Sequence, residues 1–332
     1  MRVLVTGGAG YIGSHTVKEL LSRNYEVVVF DNFTSGREEL LCGGEVVRGD
    51  LRSREDIKQV LKKYQPEAVL HFASLIQVAE SYADPAKYYN HNLLTTLNLL
   101  DSMLEEKIRA LIFSSSAAVY GLPSQTPIPE DHPLNPINPY GVTKFMTERI
   151  LQDYDRAYGL NYISLRYFNA AGADPAGQLG EWHQPETHLI PSLLLYFLGK
   201  KKDFLIYGQD FPTPDGTAIR DYIHVTDLAS AHVLALEKLV ATNCSQVLNL
   251  GSSRGYSVLE VVKEAGQVTG QARPVKFGPR REGDVPVLLA SSEKAEKYLG
   301  WNRKYSDLRT IIKTAWDWHR AHGPAQGRPG QG

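Results

Sequence analysis

Tyr140 and Lys144 stand four residues apart in "NPYGVTKFMTERI", directly after Pro139 and at the start of a helical pattern. Residues four apart share one helix face, so the ammonium can lie beside the phenol oxygen. Such a pair makes Tyr140 a candidate base. A free phenol has a pKa of about 10, and each unit of depression needs about 1.4 kcal/mol. A unit positive charge about 4 Å away supplies roughly 4 kcal/mol at an effective dielectric near 20, enough for about three units. Ser116 closes the serine run of "FSSSAAVYG", 24 residues before Tyr140, at a predicted strand end. Taken singly, a serine run is ordinary turn chemistry, and a Tyr–Lys pair is ordinary on an amphipathic helix.

A second constellation lies at the N-terminus. "VLVTGGAGYIGSH" places Gly7, Gly10 and Gly13 after a strand and before a helix expected from about Ser14, and the G-x-G-x-x-G register runs from Gly8. Glycines let the backbone turn tightly and approach a pyrophosphate, whose charge then sits at the positive end of the helix. The next strand ends in "VVVFDN", with Asp31 eighteen residues beyond Gly13. An acid there accepts from the adenosine ribose hydroxyls and favours NAD over NADP. Asp50 of "RGDL" is expected near adenine, and Phe72 and Ala73 of "HFAS" at a strand end facing the crevice. Strand ends are where open α/β sheets bind ligands.

The elements that must hold these groups alternate through the first half: "RVLVT", a helix, "EVVVFD", "EVVRGD", "AVLHFA" and "ALIFSSS". This predicts an α/β fold, a Rossmann-type doubly wound parallel sheet, with a smaller α/β C-terminal substrate lobe. At 332 residues the chain exceeds what one hydrophobic core usually sustains. The expected division is an NAD-binding domain over 1–168, to which the chain returns around 221–252, and a substrate domain mainly over 169–320. Residues 322–332, rich in Gly and Pro, read as a disordered tail. The Pro- and Gly-dense stretch from Gly121 to Pro139 reads as a functional loop.

Composition narrows the partners. The net charge of −1 calls for neither nucleic acid nor an anionic membrane. Cys42 and Cys244 are the only cysteines, without metal-ligand spacing, which fits a reducing compartment. There is no signal-peptide pattern or long apolar span, so a soluble, cytoplasmic protein with no membrane partner is expected. The histidines lack H-E-x-x-H, and His183 and His188 make no convincing ligand set with the lone cysteines, so no metal is expected.

Together, the glycine turn, Ser116 and Tyr-x-x-x-Lys resemble the short-chain dehydrogenase/reductase superfamily, and the length and "TGGAGYIG" resemble its extended branch. From Met1 to about His319 the chain is similar to the UDP-glucose 4-epimerase family, through "TGGAGYIGSH", "HFA", "FSSSAAVYG", "NPYGVTK", "RYFNAAGAD", "DGTAIRDYIHV" and "RREGDVP". The resemblance implies an NAD-dependent isomerase in which Tyr140 takes the proton of a sugar 4-hydroxyl and Ser116 bonds the same oxygen. Lys144 lowers the phenol and holds the nicotinamide ribose. It extends the cofactor set to Tyr11, Ile12, Asn32, Ser35, Gly36 and Leu51. It also implies a UDP-sugar site in which Asn169 meets the diphosphate, His188 and Leu189 lie near uridine, and Tyr207 packs on uracil. Arg220 and Arg281 bind phosphate oxygens, for which a guanidinium fork is well shaped, and Asp284 accepts from the ribose. Two positions depart from the family pattern. Ile76 stands where members can carry a cofactor-contacting lysine, which implies weaker NAD retention. Leu288 stands where a bulky tyrosine or a small residue sets acceptance of N-acetyl sugars, and its intermediate bulk leaves the choice of UDP-hexose open. A homodimer is implied. Three other readings stay open: a related UDP-sugar epimerase acting on UDP-N-acetylglucosamine or UDP-xylose/arabinose, a nucleotide-sugar 4,6-dehydratase, whose acids are replaced by Ala117 and Ala118, and a non-catalytic NAD-binding regulator.

Overall fold

The computed structural model describes residues 1–281 and 283–322. Seven parallel strands form the main sheet: β1 (Arg2–Thr6), β2 (Glu26–Asp31), β3 (Glu45–Arg48), β4 (Ala68–His71), β5 (Ala110–Ser116), β6 (Asn161–Tyr167) and, far along the chain, Gln246–Leu250. Their order across the sheet is Gln246–Leu250, β6, β5, β4, β1, β2, β3. The central strands β1, β2 and β4 are apolar on both faces because helices cover both, whereas the edge strand β3 is largely exposed. Side-chain alternation sorts the residues: Val3, Val5, Val27 and Val29 enter one core layer, while Leu4, Val28 and Phe30 enter the other.

Helix α1 (Tyr11–Ser22) covers the first face, and α2 (Arg54–Tyr64) the second. The short helices α3 (Val78–Ala83) and α4 (Pro85–Tyr88) follow, and a π-helical stretch, Tyr89–Leu94, leads into α5 (Thr95–Glu105). α6 (Pro139–Tyr158) follows β5 after a long loop. α1 starts three residues before the expected Ser14, because Gly13 belongs inside its first turn: a Cβ there would stand 2.2 Å from the Gly7 carbonyl oxygen. The stretch that reads as a turn is where helix and strand pack closest.

A second sheet forms beyond β6. β7 (Asn169–Ala171) precedes α7 (Leu189–Phe197), β8 (Leu205–Tyr207) and β9 (Ile219–His224). After α8 (Val225–Thr242) and β10 (Gln246–Leu250) come β11 (Gly255–Ser257), α9 (Val258–Thr269), β12 (Lys276–Gly278), β13 (Val287–Leu288), α10 (Glu293–Leu299) and α11 (Leu308–His322). β9 is flanked by β11, β13 and β7, and β12 pairs with β8. A separate core of Leu193, Phe197, Tyr222, Val261 and Ile312 backs this lobe. The return to the main sheet starts at α8, which packs along α1, and ends in β10 beside β6. β9, expected in the returning segment, instead belongs to the smaller sheet. The expected tail lies outside the described residues beyond His322.

Candidate active site

Tyr140 is the second residue of α6, whose entry is set by Asn138 as N-cap (its Oδ1 accepts from Gly141 N–H at 2.7 Å) and by Pro139 in the first turn. A Cβ on Gly141 would fall 2.6 Å from the Ala118 carbonyl oxygen, so glycine lets α6 close on the turn after β5. That turn follows Ser116, the last residue of β5, whose Oγ accepts from Ala118 N–H at 3.1 Å. The phenol of Tyr140 lies close enough to Ser116 for that hydroxyl to lower its pKa. Lys144 is buried one turn along α6, donates to the Ser114 carbonyl at 2.8 Å and lies 5.8 Å from the centre of the Tyr140 ring. The three residues that carry the sequence argument therefore meet at the carboxyl end of β5.

Their electrostatics differ from expectation. Burial raises the Tyr140 phenol above its ordinary value, and the Ser116 hydroxyl brings it part-way back. Burial also pushes Lys144 down to about 7, against the charge of Glu148, which pulls it up. The expected depression of the phenol by the lysine is outweighed here, because the ammonium turns toward the Ser114 carbonyl and desolvation acts on both partners.

The glycine turn packs its backbone against the end of β4. Gly7 has φ of +71°, and a Cβ on it would meet Ala73 N at 2.5 Å. Gly10 caps α1 with extended backbone and no side-chain bond, and no acid occupies the first turn. The first-turn N–H groups at Tyr11, Ile12 and Gly13 have no intrahelical acceptor and present a positive helix end. Asp31 ends β2 and accepts from Ala9 N–H at 3.0 Å and Phe33 N–H at 2.8 Å. Gly36 folds over it, since a Cβ there would lie 3.0 Å from the Asp31 carboxylate. Ser35 is exposed on the same loop. Asn32 donates to Asp50 at 3.2 Å, and the Arg52 guanidinium holds the Asp50 carboxyl at about 2.

Other predicted cofactor residues point their side chains elsewhere. Phe72 packs on His232 of α8, 4.8 Å between ring centres, and lies against the core instead of facing the crevice. Leu51 is buried in the core, and its carbonyl accepts from Asn98. The Tyr11 hydroxyl donates to the Gly172 carbonyl at 2.6 Å, and Ile12 packs on the core. Tyr11 and Leu51 are buried, whereas Ile12 and Phe72 keep part of their side chains exposed. Ile76 is exposed on the loop after β4.

In the smaller lobe Arg220, Arg281, Asp284 and Tyr207 converge. Arg281 Nε donates to Asp284 Oδ2 at 3.0 Å, and its guanidinium lies over the Tyr207 ring at 5.1 Å. Arg220 reaches the same carboxylate at 3.7 Å and donates to the Val285 carbonyl, and burial lowers its pKa. Leu288 joins the two lobes: it is in register with Arg220 and packs on the Ala117–Tyr120 turn that follows Ser116. Asn169 donates to the Asp221 carbonyl. His188 caps α7, ahead of Leu189, and contacts Glu181; burial lowers its pKa but the Glu181 charge prevails, to about 9. His183 also faces Glu181, so the histidines' partners are carboxylates and not the cysteines weighed from the sequence.

The sequence profile of the NAD dependent epimerase/dehydratase family matches residues 3–251. The chain belongs to that family. It is 49% identical over 317 residues to UDP-glucose 4-epimerase of Rhizobium leguminosarum bv. trifolii, covering 96% of this chain and 97% of the relative. The crystal structure of UDP-glucose 4-epimerase from Brucella ovis in complex with NAD superposes with a TM-score of 0.93 at 49% identity, over 97% of this chain and 98% of that one. The Bifidobacterium longum enzyme in complex with NAD+ and UDP gives 0.92 at 38% identity, over 97% and 99%.

The glycine turn passes the test that membership in the NAD dependent epimerase/dehydratase family sets. Side chains at Gly7 or Gly13 would collide with backbone atoms, and the space they leave lies at an uncapped helix end with a carboxylate on the neighbouring strand. Two supporting groups escaped the sequence reading. Arg166 and Glu148 form a buried ion pair, with Ser115 donating to Glu148 at 2.5 Å and Arg166 donating to Tyr120 at 2.9 Å. Glu148 lies one turn beyond Lys144, a spacing that marks the same face of α6. Asn92 holds the loop after β4, accepting from Leu75 N–H at 2.9 Å and donating to Thr143 on α6 at 3.1 Å. Its sequence signal is weak, one asparagine among Asn90, His91, Thr95 and Thr96.

Proposed function

We propose that this chain is an NAD-dependent UDP-glucose/UDP-galactose 4-epimerase. The observation that carries this reading is the Ser116–Tyr140 pair beside Lys144, joined through Leu288 to the cationic pocket of Arg220 and Arg281. A base at the sugar and paired guanidiniums for a diphosphate are the two demands of a nucleotide-sugar substrate. Gly7, Gly10, Gly13, Asp31, Asn32, Gly36, Asp50 and Ala73, with the backbone at Tyr11 and Ile12, would hold the cofactor. NAD, when bound, supplies reversible hydride exchange at carbon 4 and, in its oxidised form, a positive charge.

Tyr140 accepts the 4-hydroxyl proton as that carbon becomes a ketone, and returns it to the same oxygen after the keto sugar has turned its other face to the cofactor. Ser116, beside the phenol, is placed to hydrogen-bond the reacting oxygen. Lys144, with a pKa near neutrality, takes up or gives up the proton that keeps the pair charged. Arg220, Arg281 and Asp284 anchor the nucleotide while the sugar rotates. Ala117 and Ala118 follow Ser116 where dehydration needs acids, which speaks against a 4,6-dehydratase.

Exposed Val78, Tyr82, Tyr89, Leu94 and Met146 lie on α3, the 89–94 stretch and α6, elements that pack together, and they support a homodimer through this face. No helix among the described residues is long and apolar enough to cross a membrane, and a cytoplasmic location is part of the proposal. The reading is tested by incubating the protein and NAD with UDP-galactose. UDP-glucose should form without net NADH, and failure to interconvert any UDP-hexose pair would overturn it.

A further inference from the structure

The loop between β7 and α7 brings together four side chains that the proposed reaction does not employ as a set. One ligand atom each from Glu181, His183, Glu186 and His188 lies within 4.8 Å of the others. Both imidazoles aim Nδ1 at the same oxygen, Glu181 Oε1, His183 at 3.1 Å and His188 in closer contact. Glu186 answers from the other side, 3.8 Å from His183 Nδ1 and 4.0 Å from His188 Nδ1. The two rings stand at 84° with centres 5.3 Å apart.

Charge makes this cluster hard to explain as packing. Both carboxylates are buried, with side chains 3% and 7% exposed, and among the described residues no lysine or arginine pairs with either. Burial penalises two adjacent carboxylates steeply, and among the described residues their cationic partner is the His188 imidazole, whose pKa Glu181 raises. A dication cancels both. Ligands about 2.0 to 2.2 Å from a tetrahedral ion stand about 3.3 to 3.6 Å apart, inside the 4.8 Å that bounds the four donor atoms, and His188 and Glu181, in closer contact, must part to admit the ion. A cavity of about 30 Å³ beside Glu181, His183 and Glu186 has room for roughly one water-sized species.

We propose that Glu181, His183, Glu186 and His188 bind one divalent transition-metal ion of the Zn2+ type. Two imidazole nitrogens argue against the all-oxygen shells of Mg2+ and Ca2+, and four protein donors close the shell as in structural sites. The ion clamps the loop between two helix starts. His183 sits edge-on to Tyr11, ring centres 6.4 Å apart, at the first residue of α1, and His188 caps α7. The metal thereby steadies the segment that presents His188 and Leu189.

The test uses the full chain stripped with a chelator and titrated with Zn2+ alone against a chromophoric competitor. One equivalent per chain is expected, and Co2+ in its place should give the visible absorption of a four-coordinate site. His183→Ala and Glu186→Gln should each weaken Zn2+ binding at least about tenfold. The wild-type titration stands even if a variant fails to fold. Uptake below about a tenth of an equivalent by the stripped wild type, a Co2+ spectrum like that of the free ion, or unaltered affinity in both folded variants would overturn the proposal and leave a cluster held by protons alone.

Discussion

Replacing Lys144 with methionine isolates the role of its charge. The ammonium lies 5.8 Å from the centre of the Tyr140 ring, so a unit charge there stabilises the phenolate by about 3 kcal/mol at an effective dielectric near 20, about two pKa units. In the intact protein Lys144 releases its proton at about 7. Once one proton has left the pair, it divides between phenol with neutral amine and phenolate with ammonium, and pH does not alter that division. The rate should therefore rise to about pH 7 and then level off. In Lys144→Met the phenol titrates alone from a value that burial has already raised. Activity near neutrality should fall about 100-fold, and the rate should gain about tenfold per pH unit well into the alkaline range without levelling. The assay couples UDP-glucose formation from UDP-galactose to its dehydrogenase, at saturating NAD, with the bound cofactor of each protein measured. A variant that levels off where the wild type does, or whose deficit is the same at every pH, would refute the electrostatic role.

Three further outcomes follow from the packing. Glu148→Gln strands the buried Arg166 guanidinium and should cost about 3 to 5 kcal/mol of stability by urea denaturation; a loss below about 1 kcal/mol would count against the ion pair. Gly13→Ala places a Cβ 2.2 Å from the Gly7 carbonyl oxygen, which must displace the start of α1; calorimetry should show NAD affinity down about 100-fold with the fold intact, and wild-type affinity would contradict the cradle. Leu288→Ala opens the space beside the Ala117–Tyr120 turn and should raise kcat/KM for UDP-N-acetylgalactosamine relative to UDP-galactose by about tenfold or more, whereas an unchanged ratio removes Leu288 from the sugar pocket.

The main sheet was legible because its central strands are apolar on both faces and the strands alternate with helical patterns, a signal local to each segment. The catalytic trio was legible for a similar reason: Tyr140 and Lys144 share a helix face, and Ser116 ends a strand. Side-chain direction was not. Phe72 and Leu51 sit where a cofactor contact was expected, yet their side chains turn into the core, which depends on packing by α8, α2 and α5. The sign of the Tyr140 shift was also hidden, since spacing brings the lysine near but says nothing of how deeply both groups are buried. Glu181 and Glu186 went unremarked because a search for cysteine partners of His183 and His188 passes over carboxylates a few residues away.

The central claim is that one hydride leaves and returns to the same carbon while Tyr140 handles only the hydroxyl proton. UDP-galactose deuterated at carbon 4 of the sugar measures this directly. The account predicts UDP-glucose with deuterium retained at carbon 4, none taken from or lost to solvent, and turnover reduced about 100-fold or more in folded Tyr140→Phe. Exchange of that label with water, or wild-type turnover in Tyr140→Phe, would contradict it.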